Sequence, residues 1–141
     1  MAGWRGRANE IELSRMDREK SLRDIGKGAY GAIEDMVKAL DTDDDKREAA
    51  QTAIREDALS CEVRGGWVEP GSTEQMHAEE FRLLLGTGGP AVRIIGSLDQ
   101  YGQPDGARLE TQDWGTPWTE YTLADESVLL KYAACFYFGE G

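Results

Sequence analysis

The residues best suited to chemistry lie in one short stretch, 113–121, with the sequence DWGTPWTEY. In it, the carboxylates of Asp113 and Glu120 flank the rings of Trp114, Trp118 and Tyr121. Carboxylates beside aromatic rings could act as acid or base in a ligand site, and Trp and Tyr often anchor protein interfaces. The rings could equally close one end of the core, with their N–H groups bonded to nearby carbonyls. The sequence leaves these roles open.

The acidic run at 41–45 invites a calcium interpretation, because aspartates alternate in it as they do at the start of an EF-hand loop. The rest of that motif fails. Lys46 stands where the loop needs Gly, and Thr52 stands where it needs a bidentate Glu. We interpret the run as the start of a helix, with Thr42 or Asp43 at its beginning.

Two other motifs have ordinary structural explanations. The glycine-rich segment 86–90 has no lysine after it and leads into an apolar strand, so it predicts a hairpin turn and not a phosphate loop. His77, the sole histidine, lies in a polar connection and is predicted to be exposed. One histidine and no Cys-x-x-Cys pair exclude the common zinc sites. We therefore predict no cofactor, no metal and no catalytic residue, and regard a non-enzymatic role as the better interpretation.

Negative charge dominates the composition and is unevenly distributed. The 141 residues carry 16 Lys and Arg against 27 Asp and Glu, a formal net charge of −11. Residues 1–58 hold 14 acids and 11 bases, whereas residues 59–141 hold 13 acids and only 5 bases, which are scattered singly along the sequence. Such a chain repels nucleic acid and anionic membranes and attracts basic protein surfaces, although acidity also serves plain solubility.

From this charge we predict a basic surface of a host protein or nucleoprotein complex as the partner, with no direct nucleic-acid contact and no membrane contact. The chain would bind it as a monomer or a dimer. Carboxylates would supply the attraction and aromatic rings the anchors. The predicted partner-binding residues are Glu62, Glu69, Glu110, Asp113, Glu120, Trp114, Trp118 and Tyr121.

Helical periodicity characterises residues 1–58. From Gly28 onward, apolar residues recur at the spacing of an amphipathic helix that ends near Leu40. An earlier helix is predicted to start at Asn9, and the glycines between 26 and 31 predict a turn between the two. A third helix is predicted to run to about Asp57.

The period changes to two in residues 59–141, which predicts strands over 61–67, 81–85, 92–98 and 107–111. Short turns between the last three predict an antiparallel meander. A capping box at 122–125 predicts a C-terminal helix that ends at Gly139. The predicted fold is α+β, with N-terminal helices, a four-stranded antiparallel meander sheet and a C-terminal helix in one compact domain, divided at residue 58 into a helical and an acidic α+β region.

The two cysteines, Cys61 and Cys135, are predicted to be reduced and buried. No signal sequence and no apolar run of membrane-spanning length is evident, so we expect a cytoplasmic protein of a host cell.

The region 53–141 resembles small acidic proteins encoded in phages, prophages and other mobile elements of Gram-negative bacteria. The resemblance rests on four segments: 61–67 (CEVRGGW), 87–94 (TGGPAVRI), 112–119 (QDWGTPWT) and 134–139 (ACFYFG). It carries no catalytic motif. It implies a biological class, because short acidic proteins of mobile elements often disarm host defences, anti-CRISPR and anti-restriction proteins among them.

The function predicted from charge and resemblance is that of a non-enzymatic, phage-type inhibitor. It would bind a basic, nucleic-acid-binding host defence complex and block it, in an anti-CRISPR-like manner and with carboxylates imitating phosphates. Two alternatives stay open. One is a small enzyme or ligand-binding domain with its site near Trp114–Tyr121, and the other is a structural or assembly protein of a phage particle.

Overall fold

The computed structural model describes residues 2–72, 74, 76–87 and 90–139, with side chains from residue 15 onward. It confirms an α+β fold with three helices and one antiparallel sheet. In chain order the elements are α1 (Ala2–Lys38), α2 (Asp44–Asp57), β1 (Ser60–Gly65), β2 (Ala78–Gly86), β3 (Ala91–Leu98), β4 (Pro104–Gln112), β5 (Thr119–Glu120) and α3 (Glu126–Ala133).

The sheet is an antiparallel meander with the strand order β1-β2-β3-β4-β5. The four strands predicted from alternating apolar residues are present. The count of four was wrong, because β5 adds a fifth strand at the edge beside β4. β5 has only two residues, which is too short for a period-two pattern to be recognised. Both residues also lie within the aromatic stretch 113–121.

One long helix replaces the two that the glycines at 26–31 suggested. Helix α1 runs without a break from Ala2 to Lys38, so Asn9 lies inside it and not at its start. Glycine in a helix costs roughly 1 kcal/mol relative to alanine, a cost that packing outweighs here. A Cβ at Gly26 would lie 2.7 Å from Cγ of Tyr121, so the missing side chain is what allows that ring to lie against the helix.

The helices cover one face of the sheet and form a single apolar cluster with it. Alternation directs Phe81, Leu83, Ile94 and Leu109 to this face, where they are buried. The buried residues contributed by the helices and by the segments that follow α1 and α3 are Ile33, Val37, Leu40, Ile54, Leu129, Tyr132, Ala133 and Phe138. Both the helical and the sheet-forming parts of the chain thus share this core, and the division at residue 58 stays a prediction.

Helix α3 begins four residues after Thr122, the start predicted from the capping box. Its N-cap is Asp125, whose Oδ1 accepts hydrogen bonds from the backbone N–H of Ser127 at 2.9 Å and from the Ser127 hydroxyl at 2.8 Å. The helix ends at Ala133 and not at Gly139. Helix α2 follows the prediction more closely, with Asp43 at its N-cap position.

Cys61 is exposed, contrary to the expectation that both cysteines are buried, whereas Cys135 is half-buried. The reason is the position of β1 at the edge of the sheet, where helices do not cover it. Burial of its remaining surface still raises the pKa of the Cys61 thiol. Among the described residues, helices of the length and apolarity that a membrane crossing needs are absent.

The contact between Gly26 and Tyr121 gives a matched pair of glycine substitutions. We expect Gly26→Ala to lower the free energy of unfolding by about 1–2 kcal/mol, because the new methyl group overlaps the ring. A methyl group added at Gly28 would meet nothing within 4 Å, so Gly28→Ala should raise stability by about 0.5–1 kcal/mol through helix propensity. Urea unfolding measures both, and stabilisation by Gly26→Ala would contradict the close packing.

Candidate functional site

The sheet face opposite the helices, called the open face below, gathers all four arginines of residues 59–141. Arg64, Arg82, Arg93 and Arg108 occupy the strand positions whose neighbours in sequence point to the core. Alternation along each strand therefore directs all four to the same side. Bases that are scattered singly along the sequence are thus brought to one face of the sheet.

Each of these arginines is paired with a glutamate of a neighbouring position on the sheet. Arg64 Nη2 lies 2.7 Å from Glu80 Oε2, and Arg82 Nη2 lies 2.9 Å from Glu62 Oε1. Both pairs join residues that are directly opposite each other on β1 and β2. The partners are solvent-exposed, so the pairs order the surface more than they stabilise the fold.

Glu110 on β4 is the most buried charged group of the open face. Its carboxylate receives hydrogen bonds from Arg93 Nε at 2.7 Å and from Arg108 Nε at 3.0 Å, and its side chain is 11% exposed. Burial by itself would raise the pKa of Glu110. The hydrogen bonds and positive charges of the two arginines outweigh that effect, so the pKa lies below its ordinary value. Glu110 is therefore a buried anion at neutral pH.

Trp118 covers the other side of Arg93. The guanidinium carbon of Arg93 lies 4.2 Å from the centroid of the Trp118 ring, a cation–π geometry. Arg93 is thus held between a carboxylate and an indole. This arrangement fixes the half-buried ring of Trp118 at the surface of the sheet, where a binding partner could reach its exposed part.

Four of the predicted partner-binding residues share the open face: Glu62, Glu110, Trp118 and Glu120. Glu110 and Glu120 are directly opposite each other on β4 and β5, whereas Glu62 lies on β1 at the far edge of the sheet. The structure brings together the residues near β4 but leaves Glu62 three strands away. Glu62 and Glu110 are both engaged in ion pairs.

Asp113 and Tyr121 lie against α1. The hydroxyl of Ser21 donates to Asp113 Oδ2 at 2.9 Å, and the ring of Tyr121 packs on Gly26, with the ring of Tyr30 at 6.3 Å between centroids. Both residues thereby connect the aromatic segment to the long helix. For Tyr121 the structure agrees with the interpretation that the rings close the core.

Trp114 and Glu69 extend from loops. Trp114 is 78% exposed on a turn that Thr116 closes, since the Thr116 hydroxyl and backbone N–H both donate to the carbonyl of Asp113 at 2.9 Å. Glu69 is exposed in the connection between β1 and β2. The partner-binding role of these residues stays a prediction.

Acidic residues gather at one end of the sheet, which sequence reasoning did not identify. The end of β1, the start of β2 and the turn between β3 and β4 meet there, as the pairs Gly65–Ala78 and Leu98–Pro104 show. The start of α3 joins them, because the Ala107 N–H donates to Glu126 Oε2 at 3.4 Å. We call this surface the acidic end. The loops and element ends that meet there carry Glu69, Glu74, Glu79, Asp99, Asp105, Asp125 and Glu126.

The carboxylates of the acidic end are free of ion pairs with any described residue. Several are nevertheless fixed in position by hydrogen bonds. Asp99 accepts from the N–H groups of Tyr101 and Gln103, and Asp105 accepts from Ser97 Oγ at 2.6 Å. The meander topology was predictable from the sequence, and it alone implies that these loops meet at one end.

The described residues offer fewer arrangements for metal binding or catalysis than for protein binding. Over the described part of the chain, His, Cys, Asp and Glu do not converge in groups of three or more that could hold a metal ion. A shallow cleft of about 430 Å³ separates α1 from β5 and the loop after it. Its charged lining residues are Glu19, Arg23 and Glu120.

The buried anion at Glu110 predicts a specific effect of pH. Glu110→Gln should lower the free energy of unfolding by about 2–3 kcal/mol at pH 7, because two arginines lose their charged acceptor. Since the pKa of Glu110 is lowered by folding, its contribution is present above the ordinary value near 4 and lost as pH falls through the lowered value. The difference in unfolding free energy between wild type and Glu110→Gln should therefore become smaller in acid.

Urea unfolding followed by tryptophan fluorescence at a series of pH values measures this gap. Glu62→Gln is the matched control, because it removes a glutamate from an exposed pair with Arg82 and should cost less than about 1 kcal/mol. Equal losses of unfolding free energy in the two variants would contradict the assignment of Glu110 as a buried anion. So would a difference between wild type and Glu110→Gln that does not change with pH.

Comparisons with known proteins add no relative. The sequence matches no family model, no curated protein and no solved structure.

Proposed function

We propose that this protein acts by binding another protein, and that its partner presents a basic, nucleic-acid-binding surface. The observation that carries the proposal is the acidic end, where the loops and element ends that meet carry seven carboxylates without ion pairs to described residues. Concentrated negative charge speeds the encounter with a positive surface and disfavours partners of the same sign.

The distribution of arginines supports the proposal. Of the five bases in residues 59–141, four are neutralised by glutamates of the open face, which leaves Lys131 as the fifth. The open face therefore has little net charge. The surplus of acids is displaced to other parts of the surface, and the acidic end holds most of it.

The fixed orientation of several carboxylates also favours binding. Asp99, Asp105 and Asp125 are held by turn and cap hydrogen bonds, so they lose little conformational freedom when a partner binds. Negative groups held in this way can imitate the phosphates that a nucleic-acid-binding channel recognises. Asp99 also closes a turn, and Asp125 also caps a helix.

The kind of partner is proposed from the resemblance of residues 53–141 to acidic proteins of phages and mobile elements. We propose a host defence complex of a bacterium, and an inhibitor that occupies the site of its nucleic acid in the host cytoplasm. Glu69 would contribute from the acidic end, and Glu120 and Trp118 would contribute from the adjoining open face.

A small-molecule site is the second candidate function, favoured by the cleft beside β5. Glu19, Arg23 and Glu120 give this cleft both signs of charge, and Tyr121 adds an aromatic wall. A ligand with a positive and a negative group would fit such a lining. This cleft lies in the segment where the sequence left a catalytic or ligand-binding role open.

The proposed function is tested by capture from a bacterial host lysate with the tagged chain at low and high salt, followed by mass spectrometry. We expect a nucleic-acid-binding protein that is released by salt. The variant Glu69→Gln/Glu74→Gln/Glu79→Gln removes three charges of the acidic end. At about 0.5 kcal/mol for each charge, affinity for the captured partner should fall about tenfold.

The matched control is Asp45→Asn/Glu48→Gln/Glu56→Gln, which removes three exposed charges from α2. It should bind nearly as well as wild type. Equal weakening by both variants would contradict docking through the acidic end, and capture that is insensitive to salt would contradict an electrostatic partner. Turnover of a small metabolite by the purified chain would favour the cleft instead.

A further inference from the structure

Strand β1 leaves one edge of the sheet uncovered. It pairs with β2 on one side, and along Ser60–Gly65 the described residues place no strand on the other. Its four central residues are exposed. An edge of this kind presents unpaired backbone N–H and C=O groups, which readily accept another strand unless charges or bulges prevent it.

Apolar side chains follow this edge at regular intervals. Leu59 is 60% exposed, Val63 is 48% exposed and Trp67 is fully exposed. Val63 lies at the centre, with Leu59 four residues before it and Trp67 four residues after it. In a two-fold antiparallel contact centred on Val63, residues at equal distances from it meet each other, so Leu59 and Trp67, which flank the strand, would be apolar partners.

We propose that β1 pairs with β1 of a second copy of this chain, antiparallel, about a two-fold axis at Val63. The two five-stranded sheets would then form one continuous sheet. The occupant of the edge is thus a second copy and not a foreign peptide, because charge and apolar groups are arranged self-complementarily along the strand.

Charge complementarity selects the register. With the axis at Val63, Glu62 stands opposite the partner's Arg64, and the same pair recurs on the other side of the axis. A two-fold axis at Glu62 would place two glutamates opposite each other, and an axis at Arg64 would do so for two arginines. Like charges directly opposite each other are destabilising. These two alternative registers, which also keep every side chain on the same face of the sheet, are therefore disfavoured.

The intramolecular ion pairs extend this complementarity across the axis. Within one copy, Arg82 pairs with Glu62 and Arg64 pairs with Glu80. In the dimer, Glu62 would lie between Arg82 of its own chain and the partner's Arg64. Arginine and glutamate would therefore alternate across four neighbouring strands, in two rows related by the two-fold axis. On the opposite side of the sheet, Leu59 would approach the partner's Trp67.

The charge pairs allow a test that depends on the register. Glu62→Arg alone places arginines opposite each other across the axis, and Arg64→Glu alone does so for glutamates, so each variant should be a monomer. Mixed in equal amounts, the two variants should form a heterodimer, because every pair opposed across the axis is then of opposite charge. Analytical ultracentrifugation measures the mass, and circular dichroism verifies that each variant is folded.

A second test does not depend on charge. Val63→Cys places two thiols directly opposite each other at the axis, within the Cα separation that a disulfide spans. Mild oxidation should link the two chains. The natural Cys61 is the internal control, because in this register the two Cys61 residues are four positions apart along the strands, about 13 Å, and stay unlinked.

Trp67→Ala and Trp114→Ala form a matched pair, since both remove exposed indoles from loops and only Trp67 flanks β1. Trp67→Ala should weaken the dimer, and Trp114→Ala should not. A monomeric mass for the wild-type chain at all concentrations up to the millimolar range would overturn the proposal. Oxidative linkage through Cys61 in place of Val63→Cys, or a dimer mass that the charge variants leave unchanged, would overturn the register.

Discussion

Packing of the helices on a single face of the sheet is the constraint from which the other features follow. Leu109, Ile54 and Tyr132 are fully buried between the two layers, which excludes water from one side only. None of the described helices covers the opposite side, so its side chains must satisfy one another. The strands achieve this with arginine and glutamate at alternate positions, and the most buried of these, Glu110, receives two arginines.

This one-sided arrangement also determines where the excess charge is found. The arginines of the strands are paired with glutamates of the open face, so they are not available to the acidic residues of the loops. The meander then brings several of those loops to one end of the sheet. The acidic end is therefore a result of topology. Turn closure by Asp99 and helix capping by Asp125 each use a carboxylate at that end, and a binding surface can use the charge that they contribute.

Periodicity in the sequence was sufficient for the four long strands and for α2, because each has an uninterrupted pattern of apolar residues. It failed where contacts between distant residues decide. The glycine at position 26 lies inside α1 with the Tyr121 ring against it, and no local rule anticipates that contact. For the candidate site, alternation around Arg82 and Arg93 could have placed both on the open face. Predicting which glutamate pairs with each arginine would have required knowledge of the strand register.

The hydrogen bond from the Tyr132 hydroxyl to Asp57 Oδ2, at 2.8 Å, has a consequence for how the molecule assembles. It joins α3 to the end of α2 across 75 positions of sequence, in a core that neither segment can complete alone. A ribosome delivers the helical part first and α3 last. The contact that joins α2 to α3 can therefore form only after synthesis has passed Tyr132, however early each helix gains its local structure.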